Sequence, residues 1–198
     1  MPEFIQLRYK IIKKNLKITV TLILTFIIGI IAGFILYRKC KETNVVYMNA
    51  IAYYIKAISP NGNAFIVSLN YFFTSALFTV LFFGLSFSVY TLPAGYAVLL
   101  VRGIVIGGAG TVMFTVYKLD GLVVFIFLIL IQSILLSVIL SVLLACNLNI
   151  NGDKCKVKTD TINFKLETAG LTLFACLLIS IYGLIILMIV IRPLYSIF

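Results

Sequence analysis

The sequence predicts an all-α, polytopic integral membrane protein with about five transmembrane helices and one short interfacial helix. Of its 198 residues, 63% are hydrophobic and 11% are charged, and the mean hydropathy is +1.18. Soluble proteins contain about 25% charged residues, and a water-soluble fold of this size could not bury so much apolar surface. Lipid is therefore the expected solvent. The whole chain, residues 1–198, is expected to form a single membrane domain.

The first predicted span follows a basic segment. Residues 1–17 carry five Lys or Arg and one acid, and residues 18–37 are uncharged. At a rise of 1.5 Å per residue, this run covers the hydrocarbon core of about 30 Å. It is longer than a signal-peptide core and no small-x-small site follows it, so we expect a retained anchor. In the polar connection 38–63, apolar and aromatic side chains suit a short helix in the membrane interface.

Four further spans follow in the sequence. The uncharged run 64–92 is longer than one straight span needs, so we expect it to tilt or to begin in the interface. Pro93 and Gly95 predict a tight corner after it, and a break at 118–120 separates the next two runs. The predicted spans lie near 18–37, 64–92, 94–117, 121–146 and 168–191, with polar connections at 38–63 and 147–167.

The positions of Lys and Arg predict the orientation. With the N-terminus in the cytoplasm, the cytoplasmic segments hold nine Lys and Arg and the opposite segments hold six. Because cytoplasmic loops carry the excess of positive charge, we expect a multi-pass protein of the cell membrane with a cytoplasmic N-terminus. The net charge of +10 sits at the edges of apolar runs, which favours contact with lipid headgroups and not with nucleic acid.

A glycine-rich stretch, VRGIVIGGAGTVMF, occupies residues 101–114. No lysine follows its glycines as a phosphate-binding loop requires, and it lacks the dinucleotide-binding fingerprint. Small residues spaced by four instead allow two membrane helices to approach closely. A helix break that lines a cavity is the alternative, and the sequence does not identify the partner helix. The helix-packing residues predicted from this spacing are Gly29, Gly33, Gly103, Gly107 and Gly110.

Two polar residues stand inside apolar runs and are candidate functional residues. Arg102 would place a charge in the bilayer, which costs at least about 2.5 kcal/mol and often marks function. It also follows Pro93 by a few turns, and the favoured interpretation is that it reaches the cytoplasmic headgroups. Gln132 is expected to form a hydrogen bond to another helix, with a ligand site as the alternative.

The residue types exclude several kinds of enzyme. The chain has no histidine, so zinc metalloproteases of the HExxH type and Ser-His hydrolases are not expected. Asp120 is the only acid between the second and fourth spans, so no pair of aspartates lies within the bilayer. We predict no catalytic, cofactor-binding or metal-binding residues and no enzymatic activity.

Three parts of the chain resemble the bacterial stage II sporulation protein M family. They are the basic start and glycine-bearing helix KIIKKNLKITVTLILTFIIGIIAGFIL, the stretch LPAGYAVLLVRGIVIGGAGTVMFTVYKLDGLVVFIFLILIQS at 92–133, and Arg192-Pro193. The chain departs from the family at Ile131-Gln132-Ser133, where a triplet like Pro-Gln-Asn is frequent. It also has Arg102 where a lysine is common, and it lacks an aromatic residue near Gly108.

This resemblance implies a non-enzymatic scaffold of spore-forming bacteria. Such a protein would help to localise peptidoglycan-degrading partners at the septal membrane for forespore engulfment. The expected partners are the lipid bilayer and other membrane proteins, including cell-wall hydrolases, and a homo-oligomer is a further option. The alternative function is a small permease or a membrane subunit of a transporter, in which Arg102 or Gln132 would contact the solute.

Overall fold

The computed structural model confirms the predicted all-α polytopic membrane fold. It describes residues 16–39, 63–86, 89–152 and 158–191, which are almost entirely helical and include no β-strand. Five segments of this described part are long and apolar enough to cross a membrane. The interfacial helix predicted within 38–63 falls mainly on residues 40–62, which lie outside the described part. The helices are α1 (Leu16–Lys39), α2 (Ala64–Leu85), α3 (Leu92–Val124), α4 (Ile131–Gly152) and α5 (Lys158–Ile186), with a 3-10 turn at Val89–Thr91 and π-helical segments at Phe125–Leu130 and Leu187–Ile191.

The turn between α2 and α3 lies earlier than the sequence suggested. Helix α2 ends at Leu85, and the backbone N–H of Ser86 bonds back to carbonyls of its last turn. Pro93 lies in the first turn of α3 and not at the centre of the corner. Proline is well suited to that position because a first-turn N–H has no helical partner to lose. The second crossing segment is therefore Phe65–Leu85, which is shorter than the predicted 64–92.

The predicted break at 118–120 is a kink. Lys118 has φ 51° and ψ −126°, whereas helical hydrogen bonding continues on both sides of it. The crossing segments on either side are Leu92–Val116 and Gly121–Cys146. The polar connection predicted at 147–167 is also partly helical, because α4 continues to Gly152 and α5 begins at Lys158.

Five helices that alternate in direction form two tight pairs against α4. Helices α1 and α3 are parallel and make the broadest contact in the described part of the chain. The Thr21 and Tyr96 hydroxyls are hydrogen-bonded at 2.7 Å near the start of both. Helix α2 is antiparallel to α5, and the Ser68 hydroxyl donates to the Ser180 carbonyl at 2.8 Å. Both pairs bury side chains against α4, whose fully buried leucines are Leu136, Leu140, Leu143 and Leu144.

Candidate functional site

The glycines of α1 and α3 face each other. A Cβ atom built on Gly29 would lie 3.0 Å from the Gly103 Cα, and one built on Gly103 would lie 2.9 Å from the Gly29 Cα. Each would lie still closer to a backbone carbonyl oxygen of the other helix, that of Leu100 or of Phe26. Real Cβ atoms do not approach backbone atoms so closely. Any larger residue at either position would therefore push the two helices apart.

The same arrangement recurs one turn further along both helices. A Cβ on Gly33 would lie 2.9 Å from the Ile104 carbonyl carbon, and one on Gly107 would lie 2.9 Å from the Ile30 carbonyl carbon. Two GxxxG motifs therefore meet, and their backbones gain dispersion contacts that lipid cannot replace. The stretch is α-helical from Leu92 to Val116. It is neither a phosphate-binding loop nor a helix break.

Two other glycines of this stretch make room for aromatic rings. A Cβ on Gly110 would lie 2.6 Å from the Phe125 ring, so Gly110 serves the join between α3 and α4 and not the contact with α1. Gly108, which the spacing did not select, faces the Tyr37 ring of α1. Its position directly after Gly107 was the available signal, since a residue about 100° from Gly107 lies at the edge of the face that contacts α1.

Arg102 is buried inside the bundle. Its side chain is 9% exposed, and its Cζ lies 4.7 Å from the centroid of the Phe78 ring on α2, which is a cation–π distance. Tyr71 of α2 and Cys176 of α5 also contribute to its electrostatic environment. Within the described residues, Nη1 of Arg102 is buried and has no hydrogen-bond partner. Phe78 gives the cation a binding face at this depth, which the sequence did not indicate.

A groove lies between α2 and α3, and its volume is about 540 Å³. These two helices touch only weakly, and Ser133 of α4 contributes to the lining. Thr74 and Val101 also line the groove and are exposed, so the groove opens on the outer side of the bundle. We refer to this feature as the Arg102 groove; its lining includes Tyr71, Thr74, Phe78, Val101, Arg102 and Ser133.

Gln132 connects α4 to α5. With its amide oriented to satisfy both groups, Nε2 donates to the Leu128 carbonyl at 2.8 Å and Oε1 accepts from the Gly183 N–H at 3.2 Å. A Cβ on Gly183 would lie 2.9 Å from the Gln132 Cδ, so the glycine makes room for the amide. Gly183 escaped the sequence analysis because it has no second glycine at a spacing of four. Its only signal was a glycine between the bulky residues Tyr182 and Leu184.

Comparisons of the chain with protein families, with curated proteins and with solved structures find no match. Among residues 16–39, 63–86, 89–152 and 158–191, no group of three His, Cys, Asp or Glu side chains is placed to hold a metal ion. The candidate site is therefore defined by the geometry alone: a glycine contact between α1 and α3, and the Arg102 groove on the other side of α3.

The glycine contact predicts that Gly107→Ala destabilises the protein. The added methyl group meets the backbone of α1 and forces the helices apart, which costs about 1–3 kcal/mol in a packed core. Gly170→Ala is the matched control, because a Cβ at this helical position has nothing within 4 Å and alanine favours a helix by about 1 kcal/mol. Thermal unfolding in mild detergent should give a lower Tm for Gly107→Ala only. Equal shifts in the two variants would contradict the contact.

The second contact predicts energetic coupling between Gln132 and Gly183. Gly183→Ala should lower the Tm in the wild-type background and have little effect in the Gln132→Ala background, because the added methyl group meets only that side chain among the described atoms nearest to it. The coupling should be about 1 kcal/mol, as is typical for residues in contact. Gly170→Ala in the same two backgrounds is the control and should be additive. Additive effects of Gln132→Ala and Gly183→Ala would show that the two residues are not in contact.

Proposed function

We propose that the protein is a non-enzymatic scaffold in the cell membrane that helps to localise peptidoglycan-degrading partners for forespore engulfment during sporulation. The resemblance to the stage II sporulation protein M family supplies the cellular process. The observation that supports a scaffold is the α1–α3 contact, which is made largely by backbone and glycine. It leaves large apolar side chains on the outer face of α1, with Ile28, Ile31 and Ile35 each more than half exposed. These side chains face lipid or a membrane-embedded partner.

The permease alternative receives less support from the same geometry. The Gln132 amide is engaged by Leu128 and Gly183, which makes it a structural link between helices. The Arg102 groove opens between two helices on the outer side of the bundle and is lined mainly by apolar residues. A lateral, mostly apolar opening suits a binding surface better than a path for a solute across the bilayer.

We also propose that the N-terminus lies in the cytoplasm. The alternating helix directions place Leu16, Ser86 and Gly152 on one face of the bundle, and the Lys165 ammonium donates to the Ser86 carbonyl at 3.2 Å on that face. The described helix ends that adjoin the basic segments 1–17 and 147–167 therefore lie on the same side of the bundle, and we infer that the two segments share one side of the membrane. The positive-inside rule assigns that side to the cytoplasm.

Labelling of cysteines with a membrane-impermeant maleimide tests this orientation. Cys146 and Cys176 are buried in the bundle and should label poorly, whereas Cys40 and Cys155 belong to the connections on opposite sides. In intact cells stripped of their wall, wild type should label from outside, and Cys40→Ser should abolish this labelling. Labelling that instead depends on Cys155 would reverse the orientation.

Isolation of the protein from sporulating cells tests the scaffold function. A tagged chain extracted in mild detergent should recover cell-wall hydrolases. The Gly107→Ala variant should recover fewer hydrolases, because the substitution disturbs the contact between α1 and α3. The Gly170→Ala variant should recover as many as wild type does. Recovery of the wild-type protein without any hydrolase would contradict the proposed function.

A further inference from the structure

Within the part of the chain that the structure describes, Arg102 has no counter-charge at the same depth. The chain has six acidic residues. Of those that the structure describes, only Glu167 falls within a candidate crossing segment, in the first turn of Lys165–Ile189. Arg102 lies about 15 Å along α3 from Leu92, at a rise of 1.5 Å per residue. That distance is close to the middle of a hydrocarbon core of about 30 Å. The described residues of a second copy would not supply an acid at this level either, so we look for the counter-charge in another molecule.

The Nη1 atom of the guanidinium is available for such a counter-charge, while the Tyr71 side chain also interacts with the guanidinium. Arg102 is 9% exposed, lines the groove, and its Nη1 has no hydrogen-bond partner among the described residues. Phe78 stabilises the cation through one ring face but accepts no strong hydrogen bond. Charged side chains within a membrane generally pair with an opposite charge, and a guanidinium binds a carboxylate through two parallel hydrogen bonds. The unsatisfied Nη1 therefore points to an anionic oxygen as the missing partner.

The depth and size of the groove favour a carboxylate carried on a transmembrane helix. Headgroup phosphates lie at the bilayer surface, whereas a side chain in the middle of a membrane helix lies at the level of Arg102. The lining extends from Tyr71 to Phe78 on α2 and from Ala97 to Ile106 on α3, which corresponds to about 10–14 Å of helix length. A helix that crosses α2 and α3 at an angle makes its contact over a length of this order. The volume of about 540 Å³ is sufficient for several side chains but not for a whole helix.

We propose that the Arg102 groove binds an Asp or Glu side chain in the transmembrane helix of a partner protein. The inference rests on the proposed scaffold function and names the chemistry by which the scaffold would recognise that partner. The carboxylate neutralises Arg102, and the apolar lining contacts the neighbouring side chains of the partner helix. Pairing inside the groove thus removes the cost of a buried, unpaired charge from both proteins.

Binding of synthetic transmembrane peptides to the purified full-length protein tests the inference. One peptide is a Leu-rich helix long enough to span the bilayer with a single central Glu, and its matched control carries Gln at the same position. Both are labelled for energy transfer and mixed with the protein in phosphatidylcholine vesicles, which add no competing anionic lipid. Wild type should bind the Glu peptide roughly tenfold more tightly, a difference of about 1.4 kcal/mol.

Variants of the protein assign this preference to one residue. Arg102→Gln should remove it, and Arg102→Lys should retain only part of it because lysine lacks the planar fork of arginine. Arg38→Gln is the matched control, since Arg38 is exposed at the end of α1, and it should bind as wild type does. Equal binding of the Glu and Gln peptides to wild type would overturn the proposal, and this comparison needs no variant to fold. A Glu preference that survives in Arg102→Gln would overturn it as well.

Three further outcomes distinguish carboxylate binding in the groove from amphiphile binding and from the scaffold function. If a long-chain fatty acid binds through Arg102 while the Glu and Gln peptides bind equally, the groove binds an amphiphile and the proposal is wrong. If hydrolases are recovered equally with wild type and Arg102→Gln and the Glu peptide shows no preference, the inference fails while the scaffold function stands. If the Glu preference is found but no partner is recovered from cells, the groove chemistry stands while the scaffold function fails.

Discussion

The structure depends on the close approach of two parallel helix backbones. Helices α1 and α3 meet through Gly29, Gly33, Gly103 and Gly107, at distances that leave no space for a Cβ atom on any of them. In lipid there is little hydrophobic drive for helices to associate, so backbone proximity and dispersion contacts carry the association. The contact therefore fixes the rotation of α3 about its own axis, and with it the direction of every other side chain on that helix.

The position of Arg102 follows from this constraint. Successive residues of an α-helix point about 100° apart, since 3.6 residues make one turn. With Gly103 held against α1, Arg102 must point towards another neighbour, and it lies over Phe78 of α2. Helix α2 packs mainly on α5 and only weakly on α3, so a groove remains between α2 and α3 with the guanidinium in its wall. One glycine contact thus positions both α3 and the Arg102 groove.

The sequence predicted the parts of the fold that depend on local properties. Apolar runs predicted five crossing segments because each run, as a helix, is long enough to span the hydrocarbon core of the bilayer. The glycine spacing identified helix faces that allow close backbone approach. It did not show that α1 packs on α3, because any two such faces can pack together. The neighbour of Arg102 is one of 16 phenylalanines, and the chain gives no local signal that Phe78 faces it. The turn before Pro93 was placed too late because proline fits the first turn of a helix as well as a corner.

Solid-state NMR of the protein in lipid bilayers, with ¹³C at the glycine Cα atoms, tests the central contact most directly. A cross-peak between Gly29 and Gly103 is expected at short mixing times, because a Cβ on either one would lie within 3.0 Å of the other's Cα. The sequential pair Gly107 and Gly108, about 3.8 Å apart across a trans peptide, serves as the internal reference. If the reference cross-peak is present and the Gly29–Gly103 cross-peak is missing, α1 and α3 do not meet through their glycines and the proposed architecture is contradicted.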